Sequence, residues 1–213
     1  MPTVKESSAL LFSFAIIIFA CSRHNNTDGE ANSSSSQTSG DPDSLSYQEK
    51  TYKTVKIGRQ IWFAENLNAM PTTGNSVCYG EYELYCDKYG KLYDWEAANN
   101  VCPDNWKLPS KNDFDVLLGY VENKENGFFA GYVLKSANGW GESNGGSDLY
   151  NFSALPGGLN LDGSFSMIEK QAYWWTSTGT DDLYAYYRCI TNEYLRSGPD
   201  KKTQMFSVRC IKK

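Results

Sequence analysis

Histidine is nearly absent from this chain. Its single copy, His24, lies in a polar stretch near the N-terminus. A domain without histidine has no Ser-His or Cys-His pair for nucleophilic catalysis. Zinc is equally poorly served, because no CxxC pair stands in for the missing imidazoles. Neither GxxxxGK nor GxGxxG occurs, so the usual phosphate-cradling loops are absent. The net charge is −5 and the lysines are scattered, which argues against nucleic acid, since its phosphates need a clustered basic face. Paired carboxylates such as Glu81 and Glu83 or Asp181 and Asp182 are present. Their default place is a solvated surface, and glycosidase chemistry needs a set separation that sequence does not reveal.

What is there is aromatic and export-like. Phe, Trp and Tyr make up 15% of the residues, and tyrosine leads them. Lys5 precedes an apolar run, Ala9–Ala20, which is short for a bilayer span and suited to the core of a signal peptide. Ile18-Phe-Ala-Cys21 then resembles a bacterial lipobox. We therefore expect residues 1–20 to be a signal peptide and Cys21 to be acylated, as by palmitate. Two or more acyl chains would anchor the protein stably without a transmembrane helix. Residues 21–46 hold almost no apolar side chain and read as a lipid-anchored disordered tether. Residues 47–213 then form one domain, large enough for a real core.

Within the domain, Cys102-Pro-Asp-Asn-Trp-Lys-Leu-Pro-Ser110 leads into a helix over 110–122. Ser110 and Asp113 form a capping box, and Phe114, Leu117, Leu118 and Val121 make one apolar stripe. A second helix is expected over Leu92–Asn99. Tyr52–Ile57 and Ile61–Ala64 flank Gly58-Arg-Gln60 as a β-hairpin. Phe152–Leu155 and Leu159–Leu161 read as short strands, followed by an Asp162-Gly163 turn. Ala172–Ser177, Leu183–Ile190 and Gln204–Ile211 read as longer strands. The Gly198-Pro199 segment reads as a loop, as do residues 124–150.

Five cysteines follow Cys21. An exported domain favours disulfides, and five thiols can form two bridges in several ways, each leaving one free. We expect Cys78–Cys86, closing a short polar loop, and Cys102–Cys210, tying the central motif to the last strand. Cys189 is left as a buried thiol. Exposed rings suit a sugar-binding or protein-binding surface. The candidates are Trp140, Tyr173, Tyr184 and Tyr186. No metal site is predicted. Asp148, Asn151, Asn160 and Asp162 offer oxygen ligands, but no DxDxDG run supports calcium, and structural turns are the default for them.

The ordered motifs resemble the Fibrobacter succinogenes major paralogous domain of exported bacterial lipoproteins. The matching pieces are Thr54-Val-Lys-Ile-Gly58, Trp62-Phe-Ala-Glu-Asn-Leu67, Tyr89-Gly-Lys-Leu-Tyr-Asp-Trp95, Cys102–Ser110, Phe152-Ser-Ala-Leu-Pro-Gly-Gly158, Gly163-Ser-Phe165, Tyr173-Trp-Trp175 and Phe206-Ser-Val-Arg-Cys210. The resemblance transfers no activity. It implies a tyrosine where Cys189 stands, consistent with leaving that thiol unpaired. More remotely, Trp106–Ser110 and Val208-Arg-Cys210 are similar to the C-type lectin-like fold and its formylglycine-generating relatives. That similarity implies an α+β fold with two helices packed on a twisted, loop-rich antiparallel sheet. The copper-binding cysteine pair of the enzyme relatives is missing, as are the Glu-Pro-Asn and Trp-Asn-Asp motifs of calcium-dependent lectins. The resulting expectation is a cell-envelope lipoprotein, placed at the outer membrane, whose domain binds a glycan or protein without catalysis. A structural or adhesin component of the cell surface is the first alternative, and an enzyme of unknown class the second.

Overall fold

A computed structural model describes residues 43–124, 129–143 and 145–213. The expected signal peptide 1–20, Cys21, His24 and the tether up to residue 42 lie outside the described residues. The tether's last residues do not: Ser44–Ser46 belong to a strand that opens the domain.

The chain forms an α+β domain dominated by strands. In order, the strands are β1 (Ser44–Tyr47), β2 (Lys50–Ile57), β3 (Gln60–Phe63), β4 (Ser76–Val77), β5 (Leu92–Tyr93), β6 (Trp106–Lys107), β7 (Gly157–Leu161), β8 (Ser164–Ile168), β9 (Ala172–Gly179), β10 (Tyr184–Thr191), β11 (Tyr194–Lys201), β12 (Phe206–Ser207) and β13 (Ile211–Lys212). The helices are α1 (Glu83–Tyr89), α2 (Trp95–Asn100), α3 (Lys111–Lys124) and α4 (Ala130–Leu134). One sheet runs β1-β2-β3-β13-β6, a second runs β11-β10-β9-β12-β5-β4, and β7 and β8 form a separate hairpin. Among the described residues every strand-to-strand pairing is antiparallel except β12 with β9, where Ser207 lies opposite Trp174.

Local chemistry explains most elements. Ser110 and Asp113 cap α3 reciprocally: the Asp113 amide donates to Ser110 Oγ at 3.1 Å, and the Ser110 amide donates to Asp113 Oδ2 at 2.7 Å. Phe114, Leu117 and Val121 are buried along the expected stripe, and Leu118 packs beside them. Asp162 and Gly163, with φ of 49° and 88°, make the tight β7–β8 turn, the positive-φ pair that such a turn requires.

Several expectations are corrected. Leu92 is not helical. It sits in β5, and α2 starts only after Asp94, whose Oδ1 accepts from the Ala97 amide at 2.8 Å. Residues 124–150 are not all loop, because α4 lies within them. Phe152–Leu155 is not a strand; only Ala154 makes an isolated bridge, to Lys135. The Gly198-Pro199 segment is strand β11, paired with β10 along its whole length. It is the outer strand of its sheet, where a proline costs no ladder bond. The expected strand 204–211 is two short strands in two different sheets.

That split joins the halves of the domain. Phe206, Val208 and Cys210 enter one apolar cluster, with Tyr52, Phe63, Tyr93, Trp106 and Trp175. Trp62, Trp174, Phe114, Trp140 and Ile211 build the other. Trp174 and Trp175 are both fully buried, on opposite faces of β9. Their indole N–H groups donate to Asn66 Oδ1 and to the Tyr93 carbonyl, each at 2.8 Å.

Between Val208 and Cys210 points Arg209, which has no exposed surface. Its guanidinium donates to the Phe152 carbonyl, to Asn66 Oδ1 at 3.0 Å and to the Ser153 carbonyl at 3.2 Å. It lies over the Phe152 ring, 4.3 Å from the centroid. Burial pushes its pKa down to about 9, so the group remains a cation at neutral pH, and carbonyl dipoles and ring faces stabilise it. Two disulfides brace this frame, Cys78–Cys86 and Cys102–Cys210, and Cys189 is free and buried.

Candidate functional site: an aromatic ridge on the bridged segment

The four rings singled out from sequence do not form one surface. Trp140 is 1% exposed. Its Nε1 donates to the Ala154 carbonyl at 3.0 Å and to Ser136 Oγ at 3.1 Å, and Lys135 Nζ covers the ring at 4.2 Å. It is a core residue because its one polar atom is satisfied internally. Tyr173 lies half-buried on one face of β9, against Phe206 and Tyr187, and burial pushes its hydroxyl up to about 12. Tyr184 and Tyr186 alternate with Ala185 on β10 and so face the opposite side, toward α3. Tyr186 sits 6.0 Å from Lys111 Nζ. Strand alternation, with a period of two, separates Tyr173 from the other two tyrosines.

A different set of rings does converge. The bridge Cys78–Cys86 encloses a single 3-10 turn at Tyr79–Glu81, in which Gly80 and Glu81 both take positive φ, reversing the chain ahead of α1. Tyr82, Tyr85 and Tyr89 follow at helical spacing, on one side. Gly90, with φ of 77°, ends α1. A Cβ there would meet the Leu67 carbonyl oxygen at 2.7 Å, so only glycine lets the chain turn so tightly against that segment. The ridge runs Phe165–Tyr79–Tyr85–Tyr82, with centroid separations of 5.2, 5.6 and 6.3 Å. Tyr89 stacks beneath Tyr85 at 6.2 Å. Tyr82 is 67% exposed and the neighbouring Leu84 75%.

Polar groups border the ridge. The Tyr89 hydroxyl donates to Glu169 Oε1 at 2.9 Å, and Lys88 Nζ reaches the same oxygen at 3.2 Å. The hydrogen bonds from Tyr89 and Lys88 hold the Glu169 carboxyl below its ordinary range, and Lys88 is raised. The pair thus remains charged at neutral pH, beside the buried Tyr89 and the half-buried Tyr85. Sequence reasoning passed over this segment as a short polar loop. The signal was present: Cys78-Tyr-Gly-Glu-Tyr-Glu-Leu-Tyr-Cys86 holds tyrosines three apart inside a bridge.

The remaining candidates are occupied structurally. Asp148 accepts from the Ser153 amide and hydroxyl, both at 2.7 Å. Asn160 Oδ1 caps the Gly163 amide, and Asp162 accepts from Gln204. Among the described residues no group of three His, Cys, Asp or Glu side chains could hold a metal ion. Burial pushes the Cys189 thiol up to about 11 against the opposing pull of Arg196 and Arg188.

Fold and site together define a disulfide-braced α+β domain that displays an aromatic ridge. The chain belongs to the Fibrobacter succinogenes major domain family, whose profile matches residues 55–212. No curated protein and no solved structure matches it.

Proposed function

We propose that this protein is a lipid-anchored cell-envelope binding module, with a glycan as its ligand and a protein surface as the second choice. The aromatic ridge over Tyr79, Tyr82, Tyr85 and Phe165 carries the reading. The exposed Tyr82 ring, with the half-buried Tyr79, Tyr85 and Phe165 beside it, offers apolar contact to the carbon face of a sugar ring, while the Lys88–Glu169 pair offers donors and acceptors to its hydroxyls. The finer fold reading belongs here too. A C-type lectin-like arrangement is supported by a helix that follows Trp106–Ser110 and by a long bridge from Cys102 to Cys210, next to the last strand. The non-catalytic reading is supported by a thiol that is buried and raised, the wrong condition for a nucleophile. Anchoring through Cys21 and outer-membrane placement rest on the Ala20-Cys21 junction.

The test is a glycan array probed with the full chain, followed by titration of the best hit against Tyr82→Ala and Tyr85→Ala. Losing a central stacking ring should weaken binding by about tenfold or more. A silent array, or variants that bind as wild type does, would leave the structural or adhesin reading instead. That alternative is favoured by the burial of Trp140 and the dense bracing of the core. Mass spectrometry of membrane-extracted protein should show an acylated Cys21; a free N-terminus elsewhere refutes the anchor.

A further inference from the structure

A cleft of about 660 Å³ opens where the β2–β3 turn meets β6, β13 and the start of α3. It shares no residue with the aromatic ridge. Four cationic residues line it, Arg59, Lys107, Lys212 and Lys213, against one carboxylate, Asp113. This is a locally basic trough on a chain whose net charge is −5. The carboxylate is already engaged. Asp113 Oδ2 accepts from the Ser110 amide, the Ser110 hydroxyl and Lys107 Nζ, at 2.7, 2.8 and 2.9 Å. Those bonds hold it ionised at the helix start, below its ordinary range despite the opposing effect of burial. Lys107 and Asp113 therefore pair with each other, and the side chains of the lining still carry an excess of positive charge. Gln60 fixes the rim, donating from Nε2 to the Asp113 carbonyl at 2.8 Å. Arg59 and Lys213 are exposed and lie on separate segments. Like charges are held together here by the backbone, which raises the local potential toward anions.

We propose that this cleft binds an anionic polysaccharide carrying sulfate or uronate groups. The charges are mostly ammonium groups strung along an open trough. That arrangement suits a chain of separate anions better than a single phosphate, which favours a planar guanidinium fork. Duplex nucleic acid draws its affinity from more phosphate contacts than this cleft supplies. A recessed trough also receives a polymer chain more readily than a flat bilayer.

The full chain is titrated, by anisotropy, with labelled dextran sulfate and polygalacturonate. Neutral dextran, a single-stranded oligonucleotide and phosphatidylglycerol vesicles run alongside. Saturable binding to one of the two acidic polysaccharides is expected, weakening as NaCl rises. Arg59→Glu with Lys213→Glu should lower that affinity about tenfold or more, with the circular dichroism and melting temperature of the wild type. Lys124→Glu with Lys201→Glu makes the same charge change on exposed positions elsewhere and should leave it within about twofold. Equal losses from the two pairs would reduce the effect to net charge and overturn the site. So would the absence of saturable binding, or tighter binding to the oligonucleotide or the vesicles. The Tyr82→Ala variant should bind the acidic polysaccharide as wild type does, which separates this site from the ridge.

Discussion

Removing the Cys102–Cys210 bridge should destabilise the domain about twice as much as removing Cys78–Cys86. The two bridges span 108 and 8 residues. In the chain-entropy picture the long closure stabilises by about 4.8 kcal/mol and the short one by about 2.5 kcal/mol. The long bridge also connects the residues before β6 to the segment between the two sheets, and Cys210 is fully buried in the main apolar cluster. Replacement of both its cysteines by alanine therefore adds a packing loss. For a domain of this size each kcal/mol is worth about 2–4 °C, so the long-bridge variant should melt about 10–20 °C lower and the short-bridge variant about 5–10 °C lower. The assay is urea and thermal unfolding of the two double-alanine variants under non-reducing conditions. An equal or larger loss for the Cys78–Cys86 variant would refute the loop-length argument. Non-reducing peptide mapping that links Cys189 to any partner would refute the pairing itself.

Arg209→Met should cost about 2–4 kcal/mol, because the Phe152 and Ser153 carbonyls lose their donor inside the core; urea unfolding measures it, and a neutral result would mean that the relief of burying a cation offsets both carbonyls. Asp113→Asn should flatten the acid limb of the stability curve. The folded pKa of Asp113 lies below its ordinary 3.8, so its contribution is full above that value and is lost as pH falls through the lower folded one; a variant whose stability between pH 4 and 2 tracks wild type would contradict this. Cys189 should resist alkylation in the folded protein. With its thiol near 11, only about a thousandth is thiolate at pH 8, and it is buried; labelling at the rate of a free peptide thiol would restore the enzyme reading.

Wherever the information was local, the sequence alone determined the outcome. The capping box at Ser110 and Asp113, the stripe along α3, the hairpin turns at Gly58 and at Asp162-Gly163, and the family motifs all act within a few residues, so spacing and residue type suffice. Which side of each element is covered is a different matter, because it depends on segments far apart in the chain. Trp140 and Tyr184 carry similar ring signals in sequence, yet one is sealed by Lys135, Ser136 and Ala154 and the other sits at the open end of β10. Gln204–Ile211 alternates like one strand, but the competing demands of β5 and β9 on one side and β3 and β6 on the other divide it between two sheets. Nothing local to Arg209 marks it as buried; the carbonyls of Phe152 and Ser153 and the Asn66 amide arrive from distant segments to solvate it. The aromatic ridge lay in between. Its tyrosine spacing was local, but their convergence on Phe165 and Glu169 was set by the docking of the β7–β8 hairpin against the bridged segment.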